Sequence, residues 1–129
     1  MTQRVLSVID RAYRGAVEAQ FFDAMYGLLD LHAQFDQVDL ALRGPAVTMA
    51  VDDDTYRPSL ELGGLRIDTL PDYRRSVRDL VADGIGVLVD ESALRELGFP
   101  AERLVPGVTG LDPAALARRW PDYDQVWFL

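Results

Sequence analysis

The sequence predicts an α/β fold in which a parallel sheet lies between layers of helices. Short apolar runs rich in β-branched residues alternate along the chain with segments whose apolar residues recur every three or four positions. The runs themselves, such as "RVLSVI" and "IGVLV", are apolar without alternation, as strands buried on both faces are. At 129 residues and 49% hydrophobic, the chain has the length of one domain and enough apolar material for a core.

The elements follow in order. "RVLSVID", 4 to 10, reads as a buried strand ending at a charge, and "RAYRG" as the loop after it. Between 16 and 35, Val17, Phe21, Ala24, Leu28, Leu31 and Phe35 recur at helical spacing, with Phe22, Met25 and Leu29 in a second row beside them. That face is wider than a helix covering one sheet needs. Either the helix is wedged between neighbours or part of its face meets another subunit. "QVDLALRG", 37 to 44, is a second strand, and Pro45 suits the first position of a short helix through "AVTMAV". "DDDTYRPS" is an acidic loop. "LELGGLRI", 60 to 67, is either a small hairpin about its Gly-Gly or an extended loop.

Asp68 or Asp72 caps a helix, "YRRSVRDLVADG", that Gly84 ends. A strand over Ile85 to Val89 leads into Asp90, Glu91 and a helix from near Ser92 to Gly98. "FPAERLVPGVTG" reads as a loop with at most one helical turn. Asp112-Pro113 opens a helix, "AALARRW", that stops before Pro121, and "QVWFL" is a closing strand. No internal repeat or low-complexity tract interrupts this order.

Composition excludes several functions. A net charge of −8 opposes binding to the nucleic-acid backbone, and equally to an anionic membrane surface. No apolar run approaches the length of a membrane span, and the N-terminal apolar run is too short for a signal peptide, which predicts a cytoplasmic protein. There is no cysteine, so disulfides, thiolate ligands and cysteine nucleophiles are absent from this chain. His32 is the sole histidine and suits the negative end of the long helix. Asp52, Asp53 and Asp54 lack EF-hand spacing and read as a solvated loop, so no metal site is expected. No G-x-G-x-x-G, G-K-[ST] or G-x-S-x-G occurs, and no cofactor is expected.

In open parallel sheets, ligands gather at the carboxyl ends of the strands. Those ends offer Asp10, Arg11, Tyr13 and Arg14 after the first strand, Arg43 after the second, and Asp90, Glu91 and Ser92 after the strand at 85 to 89. "DRAYRG" has one glycine and could present backbone N–H groups to an anion, or simply pair Arg14 with a nearby acid. Asp90 and Glu91 suit a helix start for electrostatic reasons alone, and a functional role would need one of them as a general acid or base. Trp120, Tyr123 and Trp127 read as core and edge packing.

The layout "VLSVIDRAYRG", a long helix, "LRG", "LVADG", "IGVLVD", "SALRELGF", "RLVPGV" and "DYDQVWFL" resembles the DsrE family of small sulfur-relay proteins, which includes the TusD-like subunits. The resemblance implies a three-layer α/β/α domain on a mostly parallel sheet. It also implies assembly into homo-oligomers, trimers or hexamers, or hetero-oligomers with DsrE-like paralogues. In the persulfide-carrying members a cysteine ends the strand that matches "IGVLV"; here Asp90 stands there. Sulfur carriage needs a thiolate, so the fold is expected to transfer and the sulfur chemistry is not. Two functions remain. One is a non-catalytic oligomeric subunit or small-molecule-binding module. The other is an enzyme or binder of a small anionic ligand, with Asp90 as base and Asp10, Arg11, Tyr13, Arg14, Arg43, Glu91 and Ser92 around the ligand.

Overall fold

A computed structural model describes residues 3–11, 24–53, 59–70 and 72–129 of the chain. Five strands form one parallel sheet: β1 (Arg4–Ile9), β2 (Gln37–Leu42), β5 (Gly86–Asp90), β6 (Thr109–Leu111) and β7 (Gln125–Phe128), in the order β6-β5-β2-β1-β7. A separate antiparallel hairpin, β3 (Leu60–Leu62) and β4 (Leu65–Ile67), turns at Gly63 and Gly64, so the sequence "LELGGLRI" is a hairpin. Gly63 takes φ of 61°, a backbone conformation that strains residues with a Cβ.

The sheet separates two cores of unequal size. On one face Val5, Ile9, Leu40, Leu42, Val87 and Val89 meet α1 (Ala24–Leu31), α2 (Tyr73–Ala82) and α3 (Glu91–Glu96). A 3-10 helical segment, Gly44–Ala50, fills the space between them with Ala46, Val47, Met49 and Ala50, all buried. Each such aliphatic side chain moved out of water stabilises the fold by roughly 1.5–3 kcal/mol if it is as large as valine or leucine. On the other face Leu6, Val8, Ala41 and Leu88 meet Leu116 of α4 (Pro113–Arg119), with Trp120 and Tyr123 beside it. This is the α/β/α layering that the sequence predicts, with α4 on the thinner side among the described residues.

Local chemistry sets the boundaries. Asp72, not Asp68, caps α2 by accepting from the Arg74 backbone N–H at 3.0 Å. Asp112 caps α4 by accepting from the Ala115 N–H at 2.8 Å, with Pro113 in the first turn. The α-helix ends at Arg119, before Pro121 as the sequence predicts, and a 3-10 turn, Trp120–Asp122, follows it. The long helix expected over 16 to 35 is described from Ala24 onward, ending in a 3-10 turn His32–Gln34; Val17, Phe21 and Phe22 lie outside the described residues.

One element differs from expectation. The stretch "FPAERLVPGVTG", read as a loop, contains a 3-10 turn Ala101–Arg103 and runs into β6, which pairs Leu88, Val89 and Asp90 with Thr109, Gly110 and Leu111. Three residues of mixed polarity after Pro106 and Gly107 carry no periodic signal. The neighbour β5 supplies the hydrogen-bonding row that makes them a strand.

The thinner face contains a buried carboxylate. Asp39 is 5% exposed, between Leu6 of β1 and Gly86 of β5. It accepts from the Tyr123 hydroxyl at 2.5 Å and from Gln37 Nε2 at 2.8 Å. The Arg4 guanidinium bonds Gln37 at 3.0 Å and lies 5.6 Å from the centre of the Tyr123 ring. Gly86 is required here, because a Cβ on it would sit 2.5 Å from Asp39 Oδ1. Burial, reinforced by the bond to Asp39, pushes the Tyr123 phenol well above its ordinary pKa, against a smaller opposing effect of Arg119.

Tyr123→Phe leaves a buried carboxylate short of a donor, so we expect a loss of about 1–3 kcal/mol in urea denaturation. Gly86→Ala forces the same carboxylate aside and costs a comparable amount, about 1–3 kcal/mol. The phenol's raised pKa stabilises the fold fully below the unfolded tyrosine value of about 10, and this contribution falls away as pH rises through the folded value. Wild-type stability therefore drops more steeply above about pH 10 than that of Tyr123→Phe, measured as denaturation midpoint against pH.

Candidate functional site

β1, β2 and β5 are adjacent and parallel, so their carboxyl ends lie on one edge of the sheet. The register pairs Ile9 with Leu42 and Leu42 with Val89. The next residue of each strand is therefore in line: Asp10, Arg43 and Asp90. Three positions spread over 80 residues of the chain become one polar row at the edge where the sequence places them.

Arg43 is the centre of the row. Its Nε donates to Asp10 Oδ1 at 2.7 Å and its Nη2 to Asp10 Oδ2 at 3.0 Å, a two-pronged pair. Its guanidinium carbon lies 5.4 Å from the centre of the Trp120 ring. The bonds to Asp10 raise the Arg43 pKa above its ordinary value; partial burial opposes this, and the charges of Asp10 and Asp90 add to it. Gly44, at φ 53°, lets the chain turn close beneath Asp10: a Cβ there would meet the Asp10 carbonyl oxygen at 3.3 Å.

Asp90 ends β5 and caps α3. Its Oδ1 accepts from the Ser92 backbone N–H at 2.9 Å and from the Ser92 hydroxyl at 2.7 Å. Its Oδ2 accepts no hydrogen bond from a described residue. Glu91 lies over β6, where Gly110 leaves room for it: a Cβ at Gly110 would sit 2.5 Å from Glu91 Oε1.

Arg43 and Asp90 open into a cleft of about 360 Å³ whose walls include, among the described residues, Pro113, Leu116, Ala117 and Trp120. One end is polar and the walls are apolar, the usual make-up of a small-molecule site. A smaller recess of about 250 Å³ beside it is lined by Val8, Asp10, Arg11, Phe128 and Leu129. Asp10, Arg43, Asp90, Glu91 and Ser92 thus gather at the expected edge and Arg11 faces the neighbouring recess, while Tyr13 and Arg14 lie outside the described residues.

The α4 wall was not read from the sequence. Trp120 suited packing, and with β6 unrecognised nothing placed α4 over this edge. The signal available was Asp112-Pro113, a helix start that must stand at the carboxyl end of whatever strand precedes it. The remaining candidates are held elsewhere. His32 donates from Nδ1 to the Leu29 carbonyl at 2.8 Å and lies 3.8 Å from Asp83. Asp52 pairs with Arg78, so the acidic loop is partly neutralised. Among the described residues no cluster of histidine and carboxylate side chains could hold a metal ion.

No protein-family model matches the chain, and no curated protein matches its sequence. Solved structures do. The YchN protein of E. coli superposes with a TM-score of 0.75 over 99% of this chain and 100% of its own, at 19% identity. MTH1491 of Methanobacterium thermoautotrophicum, described as of unknown function, superposes at 0.64 over 97% and 98%, at 17% identity. The likeness shows the fold alone, an α/β architecture with a mostly parallel sheet flanked by helices.

The geometry makes Asp90 first of all a cap. Asp90→Ala is expected to lower stability by about 1 kcal/mol, and Asp90→Asn by much less, since asparagine caps as well as aspartate does. Thermal or urea denaturation of the two variants checks the order.

Proposed function

We propose that this chain is a cysteine-free DsrE-like subunit that acts without a covalent sulfur carrier. It assembles with itself or with a DsrE-like paralogue, and it holds a small molecule non-covalently in the cleft at the carboxyl edge of the sheet. The observation that carries this reading is Asp90: a capping carboxylate opens into an apolar-walled cleft at the position where the family resemblance puts a reactive thiol. A carboxylate cannot form a persulfide.

Assembly is supported by apolar surface that nothing in the described chain covers. Leu31 of α1 is 42% exposed, and Leu62 and Leu65 of the hairpin are 59% and 61% exposed. A two-stranded hairpin is marginal in water unless it packs on something. Among the described residues no helix is long and apolar enough to cross a membrane.

Two measurements test the proposal. After incubation with a sulfane-sulfur donor, intact-mass spectrometry is expected to find the chain unmodified; a chain gaining the mass of a sulfur atom overturns the non-covalent reading. Size exclusion with light scattering at micromolar concentration is expected to give more than one chain per particle, whereas a monomer, alone and with a DsrE-like paralogue, refutes the assembly.

A further inference from the structure

We infer that the cleft beside Arg43 and Asp90 takes a small organic cation, an amine or amidine on an apolar body. The inference rests on the reading of this cleft as a ligand site and adds the class of ligand.

Charge decides between a cation and an anion. Among the described residues Arg43 is the cationic group lining the cleft, and Asp10 already occupies two of its nitrogens. Asp90 stands on its other side, so two carboxylates flank one guanidinium, and Arg11, beside Asp10 in the neighbouring recess, is not among the residues that line the cleft with Asp90. Asp90 Oδ1 is committed to Ser92, and Oδ2 has no described hydrogen-bond donor. An anion entering here meets that carboxylate with its counter-charge largely spent on Asp10. A cation meets a free oxygen, in a chain whose net charge of −8 draws cations in.

The cleft also displays the chemistry it suits. Arg43 is itself a flat cation held by carboxylate oxygens and lying over the Trp120 ring. Beyond it Pro113, Leu116 and Ala117 offer an apolar wall. A volume of about 360 Å³ admits a ring with a short side arm. The ammonium or amidinium would meet Asp90 Oδ2, and the body would lie along Leu116 and Trp120.

Three probes of one shape separate the possibilities: phenethylamine, phenethyl alcohol and phenylacetate. Calorimetry and tryptophan fluorescence give affinities, and amide chemical shifts locate the binding. Phenethylamine is expected to bind saturably, shifting residues 90 and 113–120, and more tightly than the alcohol, with phenylacetate weakest. Asp90→Asn keeps the cap and removes the charge, so phenethylamine should weaken by about tenfold or more while the alcohol is unaffected. Ala117→Phe, which fills the wall without altering charge, should weaken all probes that bind.

If the alcohol or phenylacetate binds in the cleft as tightly as the amine, or if Asp90→Asn leaves the amine unchanged, the cation inference falls and the cleft remains a ligand site. If none of the three binds saturably, both fall together.

Discussion

Neighbouring parallel strands must end on the same edge, and in this protein the order β5-β2-β1 turns that rule into a site. Because Ile9, Leu42 and Val89 are level in the register, the residues that follow them cannot avoid one another. Asp10, Arg43 and Asp90 therefore meet without a dedicated loop to bring them together. The two-pronged bond from Arg43 to Asp10 then joins the ends of β1 and β2 outside the ladder of backbone hydrogen bonds. Most other features of this edge, from the turn at Gly44 to the cap of α3, are adjustments to that row.

The unequal covering of the two faces explains why the row is accessible. Among the described residues three helices and a 3-10 segment pack on one face, while α4 and the turn after it cover the other. α4 is a seven-residue helix over a five-stranded sheet, and the cleft lies between its flank and the strand ends. The same thin layer holds Asp39, a carboxylate placed among aliphatic side chains and balanced by Tyr123 and Gln37. Its presence there is tolerable because Gly86 makes room and because the phenol and amide replace water as donors.

Much of this was legible in the sequence, and the exceptions have physical causes. Strands buried on both faces advertise themselves, as "VLSVI" does and "VDLAL" does apart from its one acid, because nearly every side chain must be apolar or small. Caps are legible for a similar reason: Asp72 and Asp112 stand where a side-chain oxygen is needed, and Asp112 has proline behind it. β6 was illegible because an edge strand of three residues owes its conformation to its neighbour and not to its own side chains. With β6 missing, the position of α4 was missing too, and so were Leu116 and Trp120 as cleft walls. Asp39 was also unmarked: a single acid in an apolar strand does not announce a tyrosine 84 positions further on. The polar row itself was foreseen as a set of residues, but its one-dimensional order needed the register.

The first strand of the sheet is also bordered by the last. Arg4 and Asp124, 120 positions apart, are joined by a backbone-to-carboxylate bond where β1 and β7 begin to pair. Closing so long a stretch of chain is entropically costly and slow relative to the local hairpins and helices. Until β7 arrives, β1 presents an open row of N–H and C=O groups to any other extended chain. The order in which the molecule is put together thus leaves a vulnerable interval near its end, when most of the core exists and one edge of it is still adhesive.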